Sequence, residues 1–420
     1  MTRIRDALIE SNPWWKHPYV LDYKPRELYF RLQPYLPLPQ ILALTGLRRV
    51  GKTTLMFKLI HDALTKGFPA QNILYFSCDE FQTMDIRTLL NEYEHVLGKN
   101  ITSEKTLILL DEIQKLDQWE EQLKRVYDTY SKTMKLIISG SESLFIRTKS
   151  KETLAGRLFE FKVDPLTFPE FLEFRGTTMK PVDLYEKELN KEFIKFIRTQ
   201  GFPELVDITE KDIINKYIKE SIVEKIIYRD IPRLLNIKDV SLLESILNIL
   251  MEEPGQLIDQ HDLAKDLQVT RQTLSTYLRY LEDSYLIKKL YNYSRNRRKT
   301  ERKLKRYYPT ILSVDLLFKE DVLSQSKAFE GVLVNQLKAE YFWRDPYKNE
   351  VDIIQVNDTV EPLEIKYGNI QMDGVIKFMK KFNAPHGTVI SRDQEKTQKF
   401  PGMTIDVIPA VKYLLRNTNR

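Results

Sequence analysis

Residues 41–54 restrict the fold of this chain more than any other stretch. Ile41 to Leu44 is an apolar run suited to a buried strand. Gly46 then opens a loop, and Gly51, Lys52 and Thr53 close it where an apolar-periodic segment begins with Leu55, Phe57, Leu59 and Ile60. The spacing is G-x-x-x-x-G-K-[ST] in a strand–loop–helix setting. Glycines let successive backbone N–H groups curl around phosphate oxygens, and the helix start adds partial positive charge. Gly46, Leu47, Arg48, Arg49, Val50, Gly51, Lys52, Thr53 and Thr54 are therefore expected to form a phosphate cradle. Lys52 would reach the β- and γ-phosphates, and the Thr53 hydroxyl would bind Mg²⁺.

Thr106 to Glu112 is the second strong signal. Four consecutive apolar residues, Leu107 to Leu110, make a strand buried on both faces. It delivers Asp111 and Glu112 to its carboxyl end. One carboxylate is expected to hold the metal shell and the next to activate the attacking water, which assigns Asp111 to the metal and Glu112 to the base. Asn72 to Ser77 reads as another strand, with Asp79 and Glu80 beyond it either in the site or in a capped turn. Lys135 to Ser139 is a further strand. Ser139 or Ser141 would sense the γ-phosphate through its hydroxyl, or would cap a turn. Arg157 follows in Leu154–Arg157, as a cation for transition-state charge in its own or a neighbour's site, or as a surface arginine.

Taken in order, Gly46–Thr54, Leu109–Gln114, Ser139–Ser141, Leu154–Arg157 and Asp164–Phe171 give the chain a specific likeness over about residues 25–235. It resembles the archaeal and bacterial AAA-related ATPases, a branch of the P-loop NTPases allied to the STAND class. That resemblance implies ATP with Mg²⁺ as cofactors, ATP hydrolysis, and a nucleotide-responsive role for Arg157. An arginine acting in trans would need a homo-oligomer. Residues 176–250 read as helices and resemble the helical lid of such ATPases.

Residues 251–306 carry a different pattern. Asp262 to Leu267 is a short helix, Gln268 to Thr270 a turn, and Arg271 to Tyr285 a longer helix. Leu263, Ala264, Leu267, Val269, Leu274, Leu278 and Leu281 fall at core spacing. This is a helix-turn-helix followed by a strand, and it resembles a winged helix. Arg271, Gln272, Thr273 and Ser275 are suited to phosphates and base edges. Ser294 to Arg306 holds eight basic residues and one acid, including Arg297, Arg298 and Lys299, where a wing or linker should lie. Clustered cations gain affinity for polyanions by counterion release, so DNA is the expected partner. A protein-docking winged helix is the alternative.

The final segment, 307–420, contains Glu330 at a helix start, Asp352 on one strand, and Glu364 and Lys366 on a second. Side chains at i and i+2 share a face, so Glu364 and Lys366 point together. Glu330, Asp352 and Glu364 are candidate ligands for a divalent metal. The order Glu, Asp, Glu-x-Lys resembles the PD-(D/E)xK restriction-endonuclease superfamily, although the first strand reads Glu-Val-Asp where that superfamily has Pro-Asp. The resemblance implies a nuclease-like α/β domain, either cleaving DNA or catalytically inactive.

The whole chain is thus expected to comprise an arm (1–39), a parallel-sheet ATPase core (40–175), a helical lid (176–250), a winged helix with basic wing (251–306) and a restriction-endonuclease-like domain (307–420). The arm is rich in aromatics and proline, and proline argues against one long helix. With 65 Lys and Arg against 59 Asp and Glu, the net charge of +6 points only weakly to a polyanion. No run of about 18 uncharged apolar residues appears, so no membrane span is expected. The amino terminus lacks an apolar signal core, and Cys78 is a lone cysteine. A cytoplasmic setting follows from these features. Five scattered histidines show no H-x-x-x-H spacing, which argues against zinc.

Overall fold

The computed structural model describes residues 2–101, 103–140, 153–177, 179–234, 237 and 239–416. The chain divides into two compact units, Met1–Pro165 and Leu166–Arg420.

Five strands build the sheet of the first unit: β1 (Ile41–Thr45), β2 (Ile73–Ser77), β3 (Thr106–Asp111), β4 (Met134–Gly140) and β5 (Leu158–Lys162). Their order is β2-β3-β4-β1-β5, and every pairing is parallel. β1 and β3 are buried at every position, as parallel strands covered by helices on both faces must be. All five carboxyl ends lie on one edge of the sheet. β1 sits inside the sheet while the chain continues to β2 at its far edge. That reversal of winding leaves a crevice beyond the carboxyl ends, where open α/β sheets bind ligands.

The arm closes the exposed edge of β2. The Asn12 side-chain amide donates to the Tyr75 carbonyl at 2.9 Å and accepts from the Tyr75 N–H at 2.7 Å, as a neighbouring strand would. Trp14 and Trp15 both donate their indole N–H to the Ile73 carbonyl, at 3.1 and 2.8 Å. Covering an edge in this way blocks pairing with another chain. Further on, the Lys135 ammonium donates to the carbonyls of Tyr35, Leu38 and Gln40 at 2.7–2.9 Å. Its burial pulls its pKa down to about 8.

The second unit begins earlier than the 175/176 boundary read from sequence. Leu166, Phe168 and Phe171 are buried in a core shared with Phe193, Phe329 and Leu363. Helices Phe168–Phe174, Glu186–Thr199, Lys211–Lys216 and Val240–Glu252 precede a nine-stranded sheet. That sheet contains β6 (Gln256–Ile258), β7 (Ile287–Asn292), β8 (Lys305–Pro309), β9 (Tyr341–Arg344), β10 (Glu350–Val356), β11 (Val360–Lys366), β12 (His386–Ser391), β13 (Lys396–Phe400) and β14 (Met403–Pro409). The order is β13-β14-β12-β11-β10-β9-β7-β8-β6. β7 pairs with β9 in parallel through Tyr291–Tyr341 and Asn292–Phe342. The segments expected as separate domains at 306/307 therefore share one sheet, and that boundary falls inside β8. Helices Gln260–Asp266 and Arg271–Asp283 lie between β6 and β7, and β7 and β8 form an antiparallel pair.

Candidate functional sites

The loop after β1 owes its shape to two glycines. Gly46 has φ 140°, and a Cβ there would lie 2.2 Å from the Val163 carbonyl oxygen. No side chain fits that approach. Gly51 has φ 95° and leads directly into helix Lys52–Thr65. The Lys52 ammonium folds over the loop, donating to the carbonyls of Gly46 at 3.0 Å and Leu47 at 2.8 Å. Arg48 is half-buried, Arg49 and Thr54 are exposed, and Leu47 and Val50 are buried. Arg26, from the arm, donates to the Val50 carbonyl at 3.0 Å and to the Asp164 carbonyl at 2.8 Å. It braces the loop from outside. Its only sequence signal is a charged residue among aromatics and prolines.

β3 brings Asp111 to the same edge. The Thr53 hydroxyl donates to Asp111 Oδ2 at 2.6 Å, so the two side chains assigned to the metal meet. Tyr75 donates to the same oxygen at 2.9 Å. Burial, then the Asp111 charge, pushes the Tyr75 phenol well above its ordinary pKa and keeps it a donor. The other oxygen, Oδ1, accepts from the Ser139 hydroxyl and from the Glu112 N–H at 3.1 Å. Ser139 thus orients the acid. Ser141 lies outside the described residues. Glu112 adopts φ 51°, and its carboxylate accepts from Gln114 Nε2 at 2.6 Å. Tyr75 escapes a motif search because its role depends on which strands adjoin. Glu80 turns to the surface and pairs with Arg3 at 2.9 Å.

Thr53 and Asp111 fit Mg²⁺: a hydroxyl and a carboxylate, both hard oxygen donors, converge beside the loop. When bound, that ion would polarise phosphate oxygens.

Arg157 requires a correction. Its carbonyl accepts from the Ile41 N–H at 2.8 Å, at the amino ends of β1 and β5. The phosphate loop leaves the opposite end of β1, about 16 Å away for five residues at ~3.3 Å each. A role in its own site is excluded by strand direction. Its guanidinium grips Asp128 with Nε and Nη2, at 2.8 and 3.2 Å. This hydrogen-bonded pairing holds the Asp128 carboxyl below its usual pKa.

In the second unit, helix Arg271–Asp283 starts at Thr270, whose hydroxyl accepts the Thr273 N–H at 3.1 Å. Arg271, Gln272 and Ser275 are exposed, while Thr273 is half-buried with its hydroxyl against that of Thr270. The basic run is not a structureless linker: Arg297–Arg302 is a helix capped by Asn296, with Arg297, Arg298 and Lys299 exposed.

The carboxylates of 307–420 do come together. Asp352 on β10 accepts the Ile365 N–H at 2.9 Å, Glu364 accepts the Asp352 N–H at 3.3 Å, and Lys366 pairs with Glu364 at 2.6 Å. Glu330 lies in the second half of helix Val322–Gln336 rather than at a helix start. Burial, then the neighbouring Asp352, raises the pKa of both Glu330 and Glu364. Arg306 on β8 enters this group, 3.3 Å from Asp352 and 3.8 Å from Glu330, and is also paired with Glu350. Among the described residues, no three Asp, Glu, His or Cys side chains are arranged to hold a metal ion. The expectation that Glu330, Asp352 and Glu364 ligate a metal does not fit this arrangement.

Comparison with known proteins bears on both units. Residues 38–172 match the AAA domain family, and residues 190–310 match a domain of unknown function (DUF8612). The first match spans all five strands of the first unit's sheet and supports an AAA-related P-loop ATPase fold there. An uncharacterised protein of Methanocaldococcus jannaschii is 27% identical over 84% of this chain and 80% of its own length. A second from that organism is 29% identical over 61% of this chain and 57% of its own length. One from Haemophilus influenzae is 26% identical over 60% and 62% respectively. Among solved structures, Cdc6p of Pyrobaculum aerophilum shows 12% identity over 76% of this chain and 98% of its own, at a TM-score of 0.31. A STAND protein with a tetratricopeptide repeat sensor from Pyrococcus horikoshii shows 13% identity over 77% and 49%, also at 0.31. Neither structural likeness bears on the assignment. No helix among the described residues is long and apolar enough to cross a membrane.

Proposed function

We propose that the chain binds and hydrolyses Mg-ATP at the loop after β1 and couples that cycle to DNA held by its second unit. The observation that carries the ATPase reading is the 2.6 Å hydrogen bond joining Thr53 to Asp111 at the mouth of the glycine loop. Loop N–H groups and Lys52 would bind the phosphates, Lys52 exchanging its two carbonyl partners for phosphate oxygens. Thr53 and Asp111 would hold Mg²⁺. Glu112, hydrogen-bonded by Gln114, would take a proton from water as its oxygen bonds to the γ-phosphorus and the β–γ bridge breaks. Arg157 can serve only a neighbour's site, after leaving Asp128. Steady-state hydrolysis by wild type and Glu112→Gln tests the reading. The variant should bind ATP and fail to turn it over; unchanged turnover would refute the base assignment.

DNA binding is supported by the helix–strand–helix–helix–hairpin order of residues 240–309, the order expected of a winged helix. The exposed Arg271 and Gln272 at one helix start, and the exposed Arg297, Arg298 and Lys299, supply the contacts. Binding without cleavage is the reading favoured for the second unit, because Arg306, Lys366 and Arg344 already pair with the carboxylates of 307–420.

A further inference from the structure

Arg306 is the last residue of the basic run, yet it does not join the basic surface. Its side chain is 11% exposed. It shares a face of β8 with Tyr308, two residues on. One guanidinium nitrogen, Nη1, lies 3.3 Å from Asp352 Oδ1 and 3.8 Å from Glu330 Oε1, and donates to the Tyr308 hydroxyl at 3.3 Å. The other, Nη2, is paired with Glu350. The guanidinium also sits 5.2 Å from the centre of the Phe342 ring.

From this geometry we infer that the Arg306 guanidinium occupies the place that the carboxylate constellation would offer a divalent cation. The C-terminal cluster is then a fixed ion-pair node that ties β8 to β10 and to helix Val322–Gln336, and it takes no metal.

Three features carry the inference. First, most of the remaining acceptors are engaged. Asp352 Oδ2 accepts the Ile365 N–H at 2.9 Å, Glu330 accepts the Tyr308 hydroxyl at 2.7 Å, and Glu364 is shared between Lys366 at 2.6 Å and the Asp352 N–H at 3.3 Å. A hard divalent cation needs about six oxygen ligands, with several carboxylate lone pairs open to it. Second, most of the negative charge is already met by cations of the fold. Glu330, Glu350, Asp352 and Glu364 face Arg306, Lys366 and Arg344, the last at 3.4 Å from Glu350. Arginine does not give up its proton, so it cannot make way for a metal by neutralising. Third, a metal and a buried guanidinium within one carboxylate set would repel each other at low dielectric.

This inference is independent of the ATPase and DNA-binding readings. Its test is Mn²⁺ binding by the full chain without nucleotide, followed by the EPR signal of free Mn²⁺. Wild type and Asp352→Asn should bind the same number of ions, because Asp352 contributes no site. Arg306→Gln should gain one site, bound at least tenfold more tightly than any wild-type site beyond those at the phosphate loop. That gain should vanish in the Arg306→Gln/Asp352→Asn double variant. Arg306→Lys, which keeps the charge, should gain none. A wild-type Mn²⁺ site that disappears in Asp352→Asn would overturn the inference, as would an Arg306→Gln protein that folds and gains nothing. Should either single variant fail to fold by circular dichroism, wild type against Glu330→Gln answers the same question: equal binding supports the node, and a lost site refutes it.

Discussion

Two groups of carboxylates stand in this molecule, one at the end of β3 and one on β10, β11 and helix Val322–Gln336, and their partners differ in kind. Asp111 is held by the hydroxyls of Thr53, Ser139 and Tyr75 and by the Glu112 peptide N–H. These four donors are neutral; they orient the acid and leave its charge available to a cation. Asp352, Glu350, Glu330 and Glu364 instead face Arg306 and Lys366, which offset their charge with groups that are part of the fold. A list of acidic residues therefore does not define a metal site. What fills the space between them decides. Breaking a buried pair by removing one partner strands the other, which is why such a node persists even where it adds little net stability.

Substitutions at the first site should have the largest consequences. Lys52→Ala removes its cation and should lower ATP turnover on the order of 10³-fold, by analogy with loss of a preorganised electrostatic contact. Preserved turnover in a phosphate-release assay would contradict the loop assignment. Glu112→Gln should lower kcat by about 10²–10³-fold with ATP affinity nearly unchanged, since it removes proton transfer and leaves the cradle intact. A parallel loss of affinity would mean that Glu112 shapes the pocket instead. Gly46→Ala places a methyl 2.2 Å from the Val163 carbonyl, and should destabilise the protein by roughly 3 kcal/mol, read by denaturant titration. A neutral effect would mean that the loop and the segment after β5 separate easily.

Smaller effects are expected where cations face solvent or backbone alone. Neutralising Arg297, Arg298 and Lys299 together should reduce the slope of log affinity for DNA against log salt by about 2–3, because each phosphate contact contributes ~0.9. An unchanged slope would favour a protein partner for this surface. The smallest expected effect concerns Lys135, whose folded pKa of about 8 lies below the ordinary lysine value of 10.5. Between those values the unfolded chain keeps a proton that the folded chain has released. Stability of wild type relative to Lys135→Met should therefore rise across that window. A flat difference between pH 7 and pH 10 would mean that the three carbonyls hold the ammonium charged.

The first site is legible in the sequence because its determinants are contiguous. The glycine loop and the Asp111–Glu112 pair each lie within a few residues, and a parallel sheet puts all its carboxyl ends on one edge. That edge rule also shows why motif order misplaces Arg157. It precedes β5 rather than following it, so it arrives at the wrong end, and only the strand direction reveals this. Tyr75 and Arg26 carry no local signal, because one acts across neighbouring strands and the other reaches back from an arm with no periodic pattern. In the second unit, the Asp352–Glu364 adjacency follows from two strands in sequence. Arg306 does not: it closes a basic run whose Arg297, Arg298 and Lys299 face solvent, and nothing local marks it as the residue that turns inward. The pairing of β7 with β9, which merges two expected domains into one sheet, is likewise a long-range event between short strands.

The distinction between the two carboxylate groups is tested most directly by the number of Mn²⁺ ions bound by the full chain saturated with a non-hydrolysable ATP analogue. One nucleotide-dependent ion is expected, lost in Asp111→Asn and untouched by Asp352→Asn. A second ion that depends on Asp352 would show that both carboxylate groups are metal sites, and the distinction drawn between them would fall.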